Sequence, residues 1–430
     1  MLNRDLLRFH IRVGIVLAAL GVLAALGAAI WRAPLRAWAY DVSGEESLVP
    51  QLKGAAQYAS NLIRPQPRLG REQVAVEHGG VQHADVNPLG INTFLEQEVE
   101  VAKREKSLRM IHEAGFRWIR QEFPWEDIEI HAKGDFQDRR WEPHRSAWDK
   151  YDNIVDLAEQ YDLEIICRLD NPPAWSRADG NDRGALVPPD DYADFGDFVY
   201  AVVSRYRGRI RYYQIWNEPN LVREWGVVDA REYVELLRTA YERAKAADPE
   251  AVILAGALSA TIELDPNVLG KGINDFIYLQ QMYDAGASAY FDILSMQGYG
   301  LYSGPTDRRM RPRVLNFSRP LYVREIMVAN EDAHKPIWIS ELDWSPVPED
   351  VLPVYGRYSE ETRARYVVEA YQRMQDEWPW MGVACFWFFK RASDAEIGQP
   401  SYYFRMVEPD FSPLPVYDAV KQYAAGAHTD

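Results

Sequence analysis

The sequence predicts an α/β fold, a (β/α)₈ barrel preceded by a membrane-spanning helix. From residue 88 onward, short apolar β-branched runs alternate with longer segments of helical period, eight times over about 340 residues. Parallel strands need crossover connections, and eight such units close into a barrel whose strands end at one common mouth. An open doubly wound sheet is the alternative, but no Gly-rich phosphate loop follows the first strand.

The predicted strands end near Thr93 ("LGINT"), Arg120 ("FRWIR"), Asp170 ("EIICRLD"), Glu218 ("YYQIWNE"), Ala257 ("AVILAGA"), Gln297 ("DILSMQ"), Glu341 ("PIWISE") and Phe389 ("VACFWFF"). Between them, "DAREYVELLRTAYERAKAADP" puts Tyr233, Val234, Leu237, Ala240, Tyr241 and Ala244 on one helical stripe. Gly115 stops the helix ending "LRMIHEA", and Ser359 opens "SEETRARYVVEAYQRM" as an N-cap.

Ahead of the barrel (88–430), residues 41–87 read as a stalk or N-terminal extension with one helix over "SLVPQLKGAAQYASNLI". Residues 1–40 read as a cytoplasmic tip and a transmembrane signal-anchor. Val13 to Trp31 is an uncharged run of 19 residues, long enough at about 1.5 Å per residue to cross a hydrocarbon core of about 30 Å. Cleavage at the small residues of "LGAA", giving a secreted protein, is the alternative. Arg4, Arg8 and Arg12 precede the run and Arg32 and Arg36 follow it, a bias that puts the N-terminus inside and the barrel outside the cytoplasm.

Net charge is −16, and five arginines fall within residues 1–40 against Asp5, so the body is more acidic than the total. Such a body repels phosphate backbones, which excludes nucleic acid as a partner. Cys167 and Cys385, the only two cysteines, sit in apolar runs and exclude a disulfide framework. The histidines are dispersed without metal-ligand spacing, and no G-x-S-x-G elbow occurs. A mechanism without metal or cofactor is therefore expected.

Two of the eight strands end in glutamate, the fourth at Glu218 and the seventh at Glu341. A carboxylate is costly to desolvate in a strand core, whereas one at a strand's carboxyl end opens onto the mouth. Two facing carboxyl groups match acetal hydrolysis, in which one protonates the leaving oxygen and the other attacks or activates water.

"WNEPN" (216–220) together with "WISELDW" (338–344) resembles the clan A glycoside hydrolases. The resemblance covers the barrel and comes nearest to the xylosidase/iduronidase family (family 39) and the cellulase-like family (family 5). Membrane-tethered bacterial members that cut exopolysaccharide are similar in outline. It implies a retaining glycosidase acting on β-linked carbohydrate, with Glu218 as acid/base, Glu341 as nucleophile and the two carboxyl groups about 5–5.5 Å apart.

By the same resemblance Asn217 binds the sugar 2-hydroxyl, Arg120 holds Glu341 ionised and Tyr299 donates its hydroxyl to Glu341. Gln297 stands where many relatives carry a histidine two residues before that tyrosine, so the contacts of this strand are open. Trp387 is the candidate floor of the cleavage subsite. Trp125, Trp175 and Trp344 follow strand ends and are candidates for neighbouring subsites, with core packing as the alternative for all four. Asp170 and Asn171 are candidates for sugar hydroxyls or turn formers. The run Arg308, Arg309, Arg311 and Arg313 reads as a solvated face or as a grip on anionic sugars. A barrel that binds glycan without cutting it, or a transglycosylase using the same site, are the competing functions.

Overall fold

The computed structural model describes residues 32–62, 80–265, 270–310 and 312–427. Eight parallel strands, numbered here for the barrel alone, are β1 (Leu89–Thr93), β2 (Trp118–Glu122), β3 (Glu164–Leu169) and β4 (Tyr212–Asn217), then β5 (Val252–Ala257), β6 (Leu294–Gln297), β7 (Ile337–Leu342) and β8 (Met381–Phe386). β1 pairs with both β2 and β8, and the ladder runs on through β5 at one side and β6 at the other. Parallel bridges Leu254–Ile293 and Leu258–Met296 close the barrel between β5 and β6. Six of the eight strand ends fall on the expected positions or within one residue of them; β2 runs on to Glu122 and β8 leaves the ladder at Phe386.

The barrel interior is layered. Trp118, Tyr212 and Trp338, from β2, β4 and β7, meet across its lower end with ring centroids 5.0 to 5.1 Å apart. Trp338 reaches this place because residue 382 is glycine: an added Cβ there would lie 2.0 Å from the indole nitrogen, which instead donates to the His83 carbonyl. Two residues up the same strands, Arg120, Gln214 and Ser340 form a polar middle layer. The period of two along each strand thus stacks an aromatic plug, a hydrogen-bonded layer and, at the rim, the candidate site.

The helix predicted after β4 spans Ala230–Ala247, with Tyr233, Val234, Leu237, Ala240 and Ala244 buried on one face and Asp229 capping it. Ser359 accepts a hydrogen bond from the Thr362 amide, capping Glu360–Glu377. Gly115 takes φ +90 just after the helix Val101–Glu113.

Ahead of the barrel, residues 32–43 are helical and a second helix spans Leu48–Leu62. This segment folds back on the barrel. Gly304 donates its amide to the Gly44 carbonyl at 2.7 Å, Tyr40 donates to Glu369 at 2.6 Å, and Thr306 donates to the Tyr40 carbonyl. Arg308 pairs with Asp41 and Glu377, while Arg309 bonds Gln57 and Asp307. These two arginines, read above as a solvated face or a grip on anionic sugars, are structural ties to the N-terminal segment; Arg311 lies outside the described residues. The apolar run 13–31 also lies outside them. Among the described residues no helix is long and apolar enough to cross a membrane.

Candidate active site

β4 ends in Asn217, and Glu218 follows with φ +45 after Trp216 at φ +71. This double departure from extended geometry breaks the strand's alternation and turns both side chains to the rim; each residue is under one-tenth exposed. Glu341 occupies the corresponding place in β7 and is equally buried.

A single arginine joins the two strand ends. Arg120, buried in β2, directs Nη1 to Glu341 Oε1 at 3.1 Å and to Asn92 Oδ1 at 2.8 Å, and Nη2 to Asn217 Oδ1 at 2.7 Å. Its Nε donates to Gln214 Oε1, and Asn92 in turn donates to the carbonyls of Ser340 and Phe386. Burial pushes the guanidinium below its ordinary value, while Glu341 pulls the other way. On its other oxygen Glu341 accepts the Tyr299 hydroxyl at 2.7 Å. Burial first, then the Glu341 charge, drives the phenol well above its ordinary range, so it serves as a donor.

Gln297 links the two glutamates from β6. Its backbone is in register with Glu341, and its side-chain amide donates to Glu218 Oε1 at 3.1 Å. The position held by histidine in many relatives is therefore filled by a non-titrating donor. Glu218 Oε2 is paired with Arg223 at 2.5 Å, and the same guanidinium reaches Glu224 at 3.0 Å. Both residues lie on the short helix Val222–Trp225 that follows β4. Burial, ahead of the Glu218 charge, lifts the Glu224 carboxyl to about 7 against the pull of Arg223 and Arg168.

A second network borders the first at the ends of β2 and β3. Arg168 pairs with Glu122 at 2.5 Å and with Asp170 at 3.0 Å, and Asn171 donates to Glu122. Asp170 is buried, its Oδ1 has no hydrogen-bond partner among the described residues, and burial raises its carboxyl well above the usual range.

The four candidate tryptophans divide. Trp387, just past β8, is partly exposed and meets Phe94 edge-on. Trp175 is also partly exposed, its indole N–H donating to the Glu129 carbonyl. Trp125 and Trp344 are not at a subsite but in the core. Trp125 is fully buried, stacked on Phe198 and edge-on to Trp175. Trp344 is fully buried with its N–H on the Ser303 carbonyl; its ring fills the space a Cβ on residue 300 would need, which glycine leaves open. Asn92, Gln214, Arg168, Arg223 and Glu224 were not singled out in the sequence. Asn92 and Arg168 had a usable signal, being polar residues near the ends of buried strands.

Among the described residues no group of three or more His, Cys, Asp or Glu side chains is placed to hold a metal ion. Cys167 and Cys385 are buried and unpaired with each other.

Comparison with known proteins points the same way. The family model described as Cellulase (glycosyl hydrolase family 5) matches residues 81–283. A β-xylosidase from Geobacillus stearothermophilus is 34% identical over 74 residues, 16% of this chain and 15% of that protein. A family 39 glycoside hydrolase from the gut symbiont Bacteroides cellulosilyticus WH2 superposes with a TM-score of 0.59 at 18% identity, over 85% of this chain and 66% of that one. A monomeric β-xylosidase from Caulobacter crescentus CB15 gives 0.54 at 19% identity, over 79% and 68%. Families 5 and 39 are families of retaining glycosidases. The chain resembles the clan A glycoside hydrolases in its barrel and in its paired strand-end glutamates.

Proposed function

We propose that this clan A-like barrel is a retaining glycosidase that cleaves β-linked oligo- or polysaccharide by double displacement. The observation that carries the reading is the pair of glutamates at the ends of β4 and β7, joined through Arg120–Asn217 on one side and Gln297 on the other. Glu341 is the nucleophile: Arg120 and Tyr299 hold both of its oxygens, fixing the carboxylate for attack on the anomeric carbon. Glu218 gives its proton to the glycosidic oxygen as the C–O bond breaks and Glu341 forms an ester. It then takes a proton from the water that releases the sugar. Asn217, oriented by Arg120, presents its amide N–H to the sugar 2-hydroxyl, and Trp387 offers a stacking face.

Incubating the full chain with a panel of aryl β-glycosides and bacterial exopolysaccharides tests this. Two of the relatives are named β-xylosidases, which puts β-xylosides first in the panel. Wild type should release the β-anomer first by proton NMR, and Glu341→Ala should lose turnover and regain it as an α-glycosyl azide when azide is supplied. Release of the α-anomer, or equal release of reducing ends by wild type and the Glu341→Ala variant, rejects the mechanism.

The run 13–31 serves in this proposal as a retained anchor that keeps the barrel outside the cytoplasm, at its carbohydrate substrate. Full-length protein should stay in the membrane fraction after carbonate washing, and a chain lacking residues 1–31 should not.

A further inference from the structure

We infer that Arg223 makes the enzyme selective for an anionic unit on the leaving-group side of the scissile bond; this rests on Glu218 being the acid/base. The two oxygens of Glu218 are unequal. Oε1 accepts from Gln297, whose side chain is buried at the end of β6, so that contact is fixed. Oε2 is the oxygen left to meet the glycosidic oxygen, and Arg223 occupies it at 2.5 Å. Proton transfer to a leaving group requires the guanidinium to move off.

Arg223 is built to move and costly to move alone. Its side chain is 67% exposed, whereas those of its partners Glu218 and Glu224 are 8% and 11% exposed. Departure without replacement leaves two nearly buried carboxyl groups side by side with their shared cation gone. A neutral sugar gives the guanidinium nothing in return. A carboxylate on the unit beyond the cleaved bond, as in a uronic acid, takes the planar fork in a bidentate pair and draws it outward. Glu218 is then left beside Glu224, with Glu341 also acting on that group and Arg168 as the remaining nearby cation. Uptake of a solvent proton by Glu218 relieves this crowding and loads the acid. The arginine thus couples recognition of an anionic leaving group to readiness of the catalytic proton.

The experiment compares two β-linked disaccharides that share the glycone found in the aryl panel, one ending in glucose and the other in glucuronic acid. Wild type should favour the uronate by roughly tenfold in kcat/KM, the yield of one charge-assisted hydrogen bond. Arg223→Gln should abolish the preference, turn over the glucose compound faster than wild type does, and move the alkaline limb of that pH profile upward. Arg223→Lys, which keeps the charge without the fork, should fall between. Equal wild-type rates on the two compounds, or a parallel loss on both in R223Q, overturns the inference while leaving the glycosidase reading intact. Failure of wild type on dinitrophenyl glycosides, whose leaving group needs no proton, overturns the glycosidase reading and this inference with it.

Discussion

Arg120 Nη1 lies 3.1 Å from Glu341 Oε1 in the barrel's middle, and the same side chain orients Asn217. The arginine is 2% exposed, so it has exchanged water for four hydrogen bonds to partners on three other strands. Replacing it with methionine should cost about 3–5 kcal/mol of stability by leaving Glu341 buried without a cation. It should lower kcat more than it raises KM, because the nucleophile loses its alignment. Lysine should recover part of the stability but little of the rate, since one ammonium cannot serve Asn92, Asn217 and Gln214 together. Urea melts and steady-state kinetics on one aryl glycoside read both.

Tyr299 gives a cleaner separation of chemistry from packing. Its ring leans on Phe404 at 5.6 Å while its hydroxyl donates to Glu341. Tyr299→Phe keeps the ring and removes a hydrogen bond to a charged group worth about 1.5–3 kcal/mol. Turnover should fall about 10–100-fold with a melting temperature close to wild type. A large loss of stability with unchanged kcat would place the hydroxyl's role in folding instead.

The strand ends were legible because buried β-branched runs and helical stripes differ in period, and a barrel places every strand end at the same rim. Glu218, Glu341 and Tyr299 could be read because each sits at or just past such an end, whereas Arg120 lies mid-strand in β2 and reaches the site from the layer below. Arg223 and Glu224 could not, because their meaning depends on a four-residue helix that doubles back toward Glu218. The tryptophans past strand ends misled for a related reason. A loop that turns from strand to helix also covers the barrel's outer seam, and aromatic rings fill that seam as readily as they line a cleft. Trp125 stacks on Phe198 of the neighbouring helix Tyr192–Arg205, and Trp344 lies where Gly300 leaves a gap.

That division predicts opposite phenotypes for two similar substitutions. Trp125→Ala removes a fully buried ring and should cost about 3–5 kcal/mol. Trp387→Ala removes a partly exposed one, so its effect should fall on KM and turnover, with a small change in the chemical-denaturation midpoint. Measuring both variants by guanidinium titration and by activity separates core from cleft. A Trp387→Ala protein that unfolds as readily as Trp125→Ala would return Trp387 to the core.

Glu224 sets a pH dependence whose sign can be worked out. Its ordinary value is 4.5, and in the folded chain burial and the Glu218 charge raise it to about 7. A folded-state value above the unfolded one means the folded chain holds the proton more tightly. The stabilisation this brings is fully present below pH 4.5 and is lost as pH rises through about 7. Glu224→Gln has no proton to lose, so the stability difference between wild type and variant should shift by on the order of 3 kcal/mol against wild type across that window. Removing a carboxylate beside Glu218 also removes a neighbour that favours its protonated form, so the alkaline limb of the activity profile should move to lower pH in the variant. Arg223→Gln should move it to higher pH. Melting curves at several pH values and the two rate profiles together test whether Arg223 and Glu224 act on the acid from opposite sides, and parallel shifts in the two variants would show that they do not.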